Sequence, residues 1–346
     1  MKVFLTANGL FLHLMQLSEE SKGRSFGRQN LTLIGDKGKD NTGKISIITI
    51  FNCNHMQGIV DLFFSIHGVN DLAQYRARKC FLYNNCEVIS DLVPNFMGNT
   101  KGRFWRNLGG ETKIIVADNP YDLPMESTVI EETKLGTLAI TTSNGEDQLR
   151  NLLNDILRHK SEDNYEASFW LFGGSYLIGE SRIYRNPDYE YQFIVYDGVI
   201  DLKVSCFETD LMRELPHIVH QAQILLHLVC DHVDSAPRNI EFNFSSVVSK
   251  DNMFEKINTY RKYSEEYTAD EMTIWNGDVR EIANNSKFTP NKTGCTVFDW
   301  LPEMVEVSED TLAIIEDAPL CDEISDYIQT PEGKVPAYGF HYTKKD

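Results

Sequence analysis

The chain lacks any hydrophobic run of the roughly 18 residues that a membrane-spanning helix requires. It also lacks Cys-x-x-Cys pairs: its seven cysteines are scattered and odd in number, which disfavours a disulfide framework or a zinc ribbon. The Gly-rich stretch around 35–38 carries neither of the usual phosphate-binding glycine patterns. We therefore predict a cytoplasmic protein that binds no membrane and keeps its thiols free or buried.

Basic residues are scarce as well. Lys and Arg number 33 against 51 Asp and Glu, a net charge of −18 that opposes broad attraction to nucleic acid but leaves a local basic groove open. Nine acidic residues and no basic one lie between 301 and 328. The 42% hydrophobic content predicts a globular protein. The shift to polar, acidic sequence predicts a main domain at 1–267 and an acidic C-terminal extension at 268–346.

Hydrophobic periodicity predicts strands interleaved with long helices. An apolar stripe predicts a helix at 146–160, and the spacing from Ser143 to Glu146 is typical of a capping box. Strands are predicted at 166–172, 191–195 and 202–207, and a long buried helix at 215–232. Shorter apolar patterns predict a buried strand at 45–51 and a helix at 56–66. This pattern indicates an α/β or α+β fold.

The most informative segment is 192–228. It begins with Gln-Phe-Ile-Val-Tyr-Asp-Gly, continues through Asp210 and Leu215-Pro216, and ends with Leu-Leu-His-Leu at 225–228. Its spacing resembles, without a gap, the core of thymidylate synthase and the related pyrimidine hydroxymethylases.

Two more segments resemble the same family in the same order, and a basic-aromatic cluster falls roughly at a further motif of the family. Residues 61–68 resemble its Glu-Leu-Leu-Trp-Phe-Leu-x-Gly helix, and 101–106 fall at its Tyr-Gly-x-x-Trp-Arg segment. Asp147-Gln148 and the residues to Trp170 resemble its Asp-Gln helix and the strand that follows. The resemblance implies a three-layer α/β protein that dimerises through its sheet and binds folate beside a pyrimidine nucleotide. It also implies a cysteine thiolate that adds to C6 of the pyrimidine.

The residues that carry the family's chemistry are missing. The family's cysteine lies shortly before the Gln-Phe strand, whereas this chain has no cysteine between Trp170 and Ser205. Phe207 and Glu208 replace the family's phosphate-binding Arg-Ser pair, and Ile218 replaces the Asn that reads the uracil edge. A nucleoside monophosphate would meet a carboxylate where it needs a guanidinium. We therefore expect no ordinary methylation of deoxyuridine monophosphate, and folate binding rests on the resemblance alone.

Candidate general bases are the carboxylates Asp61, Asp188, Glu208 and Asp210. Asp61 stands where the family has its catalytic Glu, and Asp210 where it keeps an Asp. Burial would raise the pKa of either carboxyl and suit it to proton transfer. The alternatives are a solvated helix carboxylate for Asp61 and a turn cap for Asp210.

Two clusters interleave aromatic and cationic side chains, a pattern that suits base stacking and phosphate contact. One fills the loop where the family's cysteine would lie, and the other contains Lys101 and falls at the family's Trp-Arg segment. A tyrosine-rich strand edge is the alternative for the first. The predicted substrate-binding residues are Arg182, Arg185, Tyr189, Tyr191, Gln192, Arg103, Trp105 and Arg106.

Three histidines, His217, His220 and His227, lie on one side of the predicted 215–232 helix. Three imidazoles can bind zinc, but no cysteine or carboxylate joins them at ligand spacing. We assign them a structural role and predict no metal site.

Two functional hypotheses remain open. The favoured one is a transferase that modifies C5 of a hydroxymethylated pyrimidine, in a nucleotide or in DNA, without a cysteine nucleophile. Bacteriophages that hypermodify their DNA would need such an activity, and the chain would then work in the host cytoplasm as a homodimer. The other is a catalytically inactive binding protein or partner subunit with the same fold.

Overall fold

The structure is a computed structural model. It describes residues 2–21, 25–34, 44–46, 62, 64–68, 101–108, 110, 112–117, 127–133, 136–142, 145–161, 166–172, 189–196, 198–211, 214–248, 273–275, 327–330 and 333–336. In chain order, the elements are β1 (Lys2–Phe4), α1 (Ala7–Glu20), β2 (Gln29–Ile34), β3 (Lys44–Ser46), α2 (Lys101–Arg106), β4 (Thr112–Ala117), β5 (Ser127–Thr133), β6 (Gly136–Thr142), α3 (Gln148–Ser161), β7 (Ala167–Phe172), β8 (Tyr189–Tyr196), β9 (Val199–Asp210), α4 (Leu215–His232), β10 (Ala236–Val248), β11 (Thr273–Trp275), β12 (Tyr327–Thr330) and β13 (Gly333–Pro336). Residues 62 and 64–67 are also helical.

The main sheet has six strands in the order β1-β2-β10-β9-β8-β7. It is mixed: β1 pairs with β2 and β9 with β10 in parallel, and the other neighbours are antiparallel. Helices pack on this sheet, so the predicted α/β class is confirmed. The strands predicted at 166–172, 191–195 and 202–207 and the helix at 215–232 are confirmed too.

The segment 189–248 forms a strand-turn-strand-helix-strand unit. Strands β8 and β9 make a hairpin whose turn contains Gly198 at a φ of 69°, a left-handed conformation that glycine adopts without a steric penalty. Helix α4 then connects β9 to its parallel neighbour β10, and every residue from 215 to 230 is buried. Because the helix is buried on all sides, apolar residues occur around its whole circumference, with five buried His and Gln side chains among them.

The two faces of the main sheet differ because successive side chains of a strand point to opposite sides. One face is apolar, and the row that crosses it is fully buried: Leu171, Tyr191, Val204, Phe242 and Leu31. Apolar side chains of α1, α3 and α4 join this face in a single core. The row across the second face is mostly polar: Trp170, Gln192, Lys203, Glu241 and Thr32.

Helix α3 starts later than the sequence predicts. Glu146 cannot be helical, because its backbone N–H and C=O both bond to Leu108, each at 2.8 Å. The helix begins at Gln148, and the Asp147 carboxylate caps it by accepting the Arg150 backbone N–H at 3.1 Å. The predicted capping box is therefore wrong at Glu146, because a backbone bridge takes precedence there.

Smaller sheets involve other parts of the chain. Strands β4, β6 and β5 form an antiparallel sheet, and β12 pairs with β13. Strand β11 pairs with β3, and β3 covers the start of the strand predicted at 45–51. The predicted boundary at 267 lies outside the described residues, so the division into two parts stays a prediction. No helix in the described part of the chain is long and apolar enough to cross a membrane.

Candidate functional site at the junction of β9 and α4

Three carboxylates mark the junction where β9 ends and α4 begins. Asp210, the last residue of β9, is 2% exposed, and its backbone N–H donates to Glu214 Oε2 at 2.9 Å. The Glu214 backbone N–H in turn donates to the Asp210 carbonyl at 3.0 Å. This turn holds both residues beside the first turn of α4, whose positive dipole end favours carboxylates. Glu208 lies two residues before Asp210 on β9 and is exposed.

Helix α2 brings a cation to the same end of α4. Lys101 Nζ donates to Gln221 Oε1 at 2.5 Å and lies 5.1 Å from the centroid of the Trp105 ring. His217, one turn before Gln221, is fully buried, and its pKa is lowered to about 4 by desolvation and then by the charge of Lys101. At neutral pH this imidazole is therefore uncharged and forms hydrogen bonds without serving as an effective base. We call Lys101, Trp105, His217 and Gln221 the α2–α4 cluster.

Trp105 connects the cluster to the main sheet. Its side chain has no solvent exposure, and its ring meets that of Tyr191 on β8 edge to face, with 5.6 Å between the centroids. Two predicted substrate-binding residues, Trp105 and Tyr191, are thus brought together. Both rings belong to the core, and their contact fixes α2 against β8.

Arg106, a third predicted substrate-binding residue, is bonded inside the protein. Its guanidinium forms a bidentate ion pair with Asp147, with Nε and Nη2 at 3.0 and 2.9 Å from the carboxylate, and Nη1 donates to the Ile66 carbonyl at 2.9 Å. The nearby His67 is fully buried, and desolvation and the charge of Arg106 lower its pKa to about 3. Arg106 therefore joins three segments of the chain, and these protein acceptors occupy its guanidinium.

The two cysteines among the described residues are poor nucleophiles. Cys206 and Cys230 are both buried and free. Desolvation is the main cause that raises the pKa of both thiols, so both stay protonated at neutral pH. Cys206 lies on the apolar face of β9, as expected for a core thiol.

Among the remaining predicted substrate-binding residues, Gln192 is the one whose side chain the structure describes. Gln192 lies on the second face of the sheet, opposite to Tyr191, between Trp170 and Lys203. Tyr189 and Arg103 are placed in β8 and α2, and their side chains are outside the described set. Asp61, Asp188, Arg182 and Arg185 lie outside the described residues.

Sequence reasoning did not bring Lys101, His217 and Gln221 together. A signal was present, since residues 217 and 221 are one turn apart on the same helix face. Their polarity inside an otherwise apolar helix also pointed to a specific neighbour. Their neighbour, Lys101, is 116 positions before His217 and 120 positions before Gln221, and only the fold reveals it.

The described residues contain no group of three or more His, Cys, Asp or Glu side chains arranged to hold a metal ion. At the junction, the buried ring of Trp105 offers no exposed face for stacking a pterin.

No protein-family model matches the chain, and no curated protein matches it.

Proposed function

We propose that the chain has a thymidylate-synthase-like fold and modifies C5 of a hydroxymethylated pyrimidine without a cysteine nucleophile. The observation that carries the fold is the position of α2. Arg106 bonds to Ile66 in the first family-like segment and to Asp147 in the Asp-Gln segment. Trp105 contacts Tyr191 next to the Gln-Phe strand, and Lys101 contacts Gln221 on the Leu-Pro helix.

These segments are far apart along the sequence, and each of them contacts α2, the helix that falls at the family's Trp-Arg motif. Gly102 strengthens the point, because a Cβ there would lie 2.8 Å from the Ser65 Cα. Such close approach requires glycine and fixes the first family-like segment against α2. Chance matches would have no reason to converge in this way.

The proposed reaction needs no thiolate. The substrate carries an activated hydroxymethyl group, so its methylene C–O bond breaks and the electron pair leaves with the oxygen of the leaving group. An incoming amine forms the new C–N bond at that methylene and gives its proton to a carboxylate. Asp210 is the described carboxylate best placed for this role, because it is buried at the junction. The protonated thiols of Cys206 and Cys230 fit a reaction without sulfur.

The substrate is a pyrimidine in a nucleotide or in DNA. Phe207 is 55% exposed and Glu208 is exposed where the family binds a monophosphate, and the guanidinium of Arg106 is bonded internally. A free monophosphate is therefore poorly matched at that position, whereas the phosphates of DNA would lie elsewhere. The one-carbon unit is already on this substrate, so the reaction does not require folate.

The second face of the sheet supports a homodimer. Four exposed large apolar side chains of the described residues lie on it: Val3, Ile34, Trp170 and Phe207. The Lys203–Glu241 pair, with 3.6 Å between Nζ and Oε2, lies among them. A mixed face of this kind suits pairing with a second copy of the same face.

The test uses DNA with a phosphorylated or pyrophosphorylated hydroxymethyluracil, a panel of amines and the full chain. We expect a mass gain equal to replacement of the leaving group by the amine. Asp210→Asn should lower the rate by at least about a hundredfold if it is the base. Asp155→Asn, a matched change on the exposed part of α3, should leave the rate unchanged.

No mass change under any condition would remove the transferase. Substrate binding without turnover, unaffected by Asp61→Asn and Asp210→Asn, would support the inactive binding protein instead.

A further inference from the structure

A buried hydrogen-bond donor in α2 stands out. The Trp105 indole Nε1 is fully buried and has no hydrogen-bond acceptor among the described residues. Buried donors without acceptors are rare in folded proteins, and each one calls for a ligand or another specific partner. Arg106, on the same helix, has protein acceptors for Nε, Nη1 and Nη2.

A cation lies close to the indole ring of Trp105. Lys101 Nζ lies 5.1 Å from the centroid of the ring that carries this N–H. The side chain of Lys101 is half-buried, so solvent can reach this end of the cluster. Its acceptor, Gln221 Oε1, is a neutral amide oxygen at 2.5 Å. An ammonium and an indole N–H both donate hydrogen bonds, so they suit a ligand rich in acceptor oxygens.

Neither His217 nor Gln221 carries a negative charge that would offset the positive charge of Lys101. His217 is neutral at physiological pH, since burial lowers its pKa to about 4. Gln221 carries no charge. An anion bound beside Lys101 would accept a charge-assisted hydrogen bond from its ammonium, and such bonds are stronger than those between neutral groups.

We propose that Lys101 and Trp105 Nε1 together bind a phosphoryl group of the substrate. The identification of that group as the leaving group on the C5 methylene rests on the proposed function. As the C–O bond breaks, its electron pair stays with the leaving oxygen and negative charge grows on the phosphoryl group. The ammonium and the indole N–H stabilise that charge, while the amine's proton goes to Asp210.

The test measures binding to the full chain by calorimetry and by tryptophan fluorescence. The probes are inorganic pyrophosphate, 5-phosphooxymethyl-deoxyuridine without a 5′-phosphate, and deoxyuridine monophosphate. Trp105→Phe, which keeps a ring and removes the N–H, should weaken pyrophosphate binding about tenfold. Lys101→Met should weaken it by at least as much, and Lys101→Arg should restore most of it, because both residues donate charge-assisted hydrogen bonds.

The matched controls are Lys2→Met, which removes an ammonium 5.9 Å from the centroid of the Phe4 ring, and Lys160→Met, which removes one at the far end of α4. Their binding should equal that of the unaltered protein. Unchanged pyrophosphate affinity in both Trp105→Phe and Lys101→Met would overturn the proposal. So would an unaltered protein that binds deoxyuridine monophosphate while it binds neither of the other two probes, because the phosphoryl group recognised would then be the 5′-phosphate.

The two proposals fail separately. Pyrophosphate binding that depends on Lys101 and Trp105 in a protein without transfer activity would sustain the phosphoryl site and remove the transferase. Amine transfer that proceeds at the same rate in Lys101→Met would sustain the transferase and remove the phosphoryl site. Thermal unfolding midpoints of each variant verify that the fold is kept.

Discussion

The two ends of helix α2 carry the same kind of group in different surroundings. Arg106 and Lys101 are both cations, and each lies near a buried imidazole, His67 and His217 respectively. Arg106 is closed off by a carboxylate and a backbone carbonyl. Lys101 contacts a neutral amide and the ring of a tryptophan whose N–H is buried. The difference suggests separate roles for the two cations. A cation whose donors all have acceptors in the protein, like Arg106, stabilises the fold, whereas a cation beside a buried donor without an acceptor in the described part of the chain, like Lys101, points to a bound ligand.

The largest effect that tests this comparison is the loss of stability in acid. The pKa values of His67 and His217 are lowered to about 3 and about 4 from 6.5. The unfolded chain therefore binds more protons between these values and 6.5, so stability is full above pH 6.5 and falls as the pH drops. Between pH 7 and pH 4, each histidine should lower the free energy of unfolding by about 3 kcal/mol.

Urea unfolding at pH 7 and pH 4 measures this difference. Each of the variants His67→Gln and His217→Gln removes one titrating group, and should therefore reduce the difference in unfolding free energy between pH 7 and pH 4 by about half. An unchanged pH dependence in both variants would show that neither imidazole is held neutral by the fold.

The next effect separates the two cations directly. Arg106→Met leaves Asp147 and the Ile66 carbonyl without their partner and should cost about 3 kcal/mol. We take the lower end of the usual range, because Asp147 is 23% exposed and keeps Arg150 at 3.5 Å. Lys101→Met should cost no more than about 1 kcal/mol. Equal losses for the two variants in chemical denaturation would break the comparison.

Close packing on the Arg106 side can be tested with a single methyl group. In Gly102→Ala the new Cβ meets the Ser65 Cα and carbonyl oxygen at 2.8 Å, so we expect a loss of about 2 kcal/mol. Gly27→Ala places its Cβ where nothing lies within 4 Å and is the matched control. The thermal midpoint should fall for the first variant alone. Two equal midpoints would mean that α2 has room to move away from residue 65.

The smallest expected effect concerns the far end of α4. Lys160 Nζ donates to the carbonyls of Val233 and Asp234, where the last carbonyls of α4 need partners. Lys160→Met should cost about 1 kcal/mol, because it removes a cation from the negative end of the helix dipole. Arg158 lies on α3, as Lys160 does, and forms an exposed ion pair with Asp155. Arg158→Met should therefore leave the stability nearly unchanged. A larger loss for Arg158→Met would contradict this assignment.

Within the unit from 189 to 248, the sequence predicted the strands at 191–195 and 202–207 and the helix at 215–232, but not strand β10. Alternation along β9 and the Asp-Gly turn at 198 indicate a hairpin, and the apolar run of α4 indicates a buried helix. The start of α3 was missed, because the bridge between Leu108 and Glu146 joins distant parts of the chain. Local patterns carry no information about such a contact.

The candidate site was predicted less completely. The sequence identified Trp105 and Tyr191 as candidates in two separate clusters and grouped Lys101 with Trp105. It treated Arg106 as equivalent to its neighbours, although the structure gives it an internal carboxylate. A cation's role depends on its partner, and Asp147 becomes that partner only when α3 packs beside α2.

The polar residues of α4 have a further consequence. A buried helix with only apolar side chains can rotate or slide against a sheet at little energetic expense. Here His217 and Gln221 fix the orientation of the helix, because a rotation by one residue, about 100°, would separate Gln221 from Lys101. The helix therefore has one preferred orientation, and whatever binds at its first turn meets the same arrangement of side chains each time.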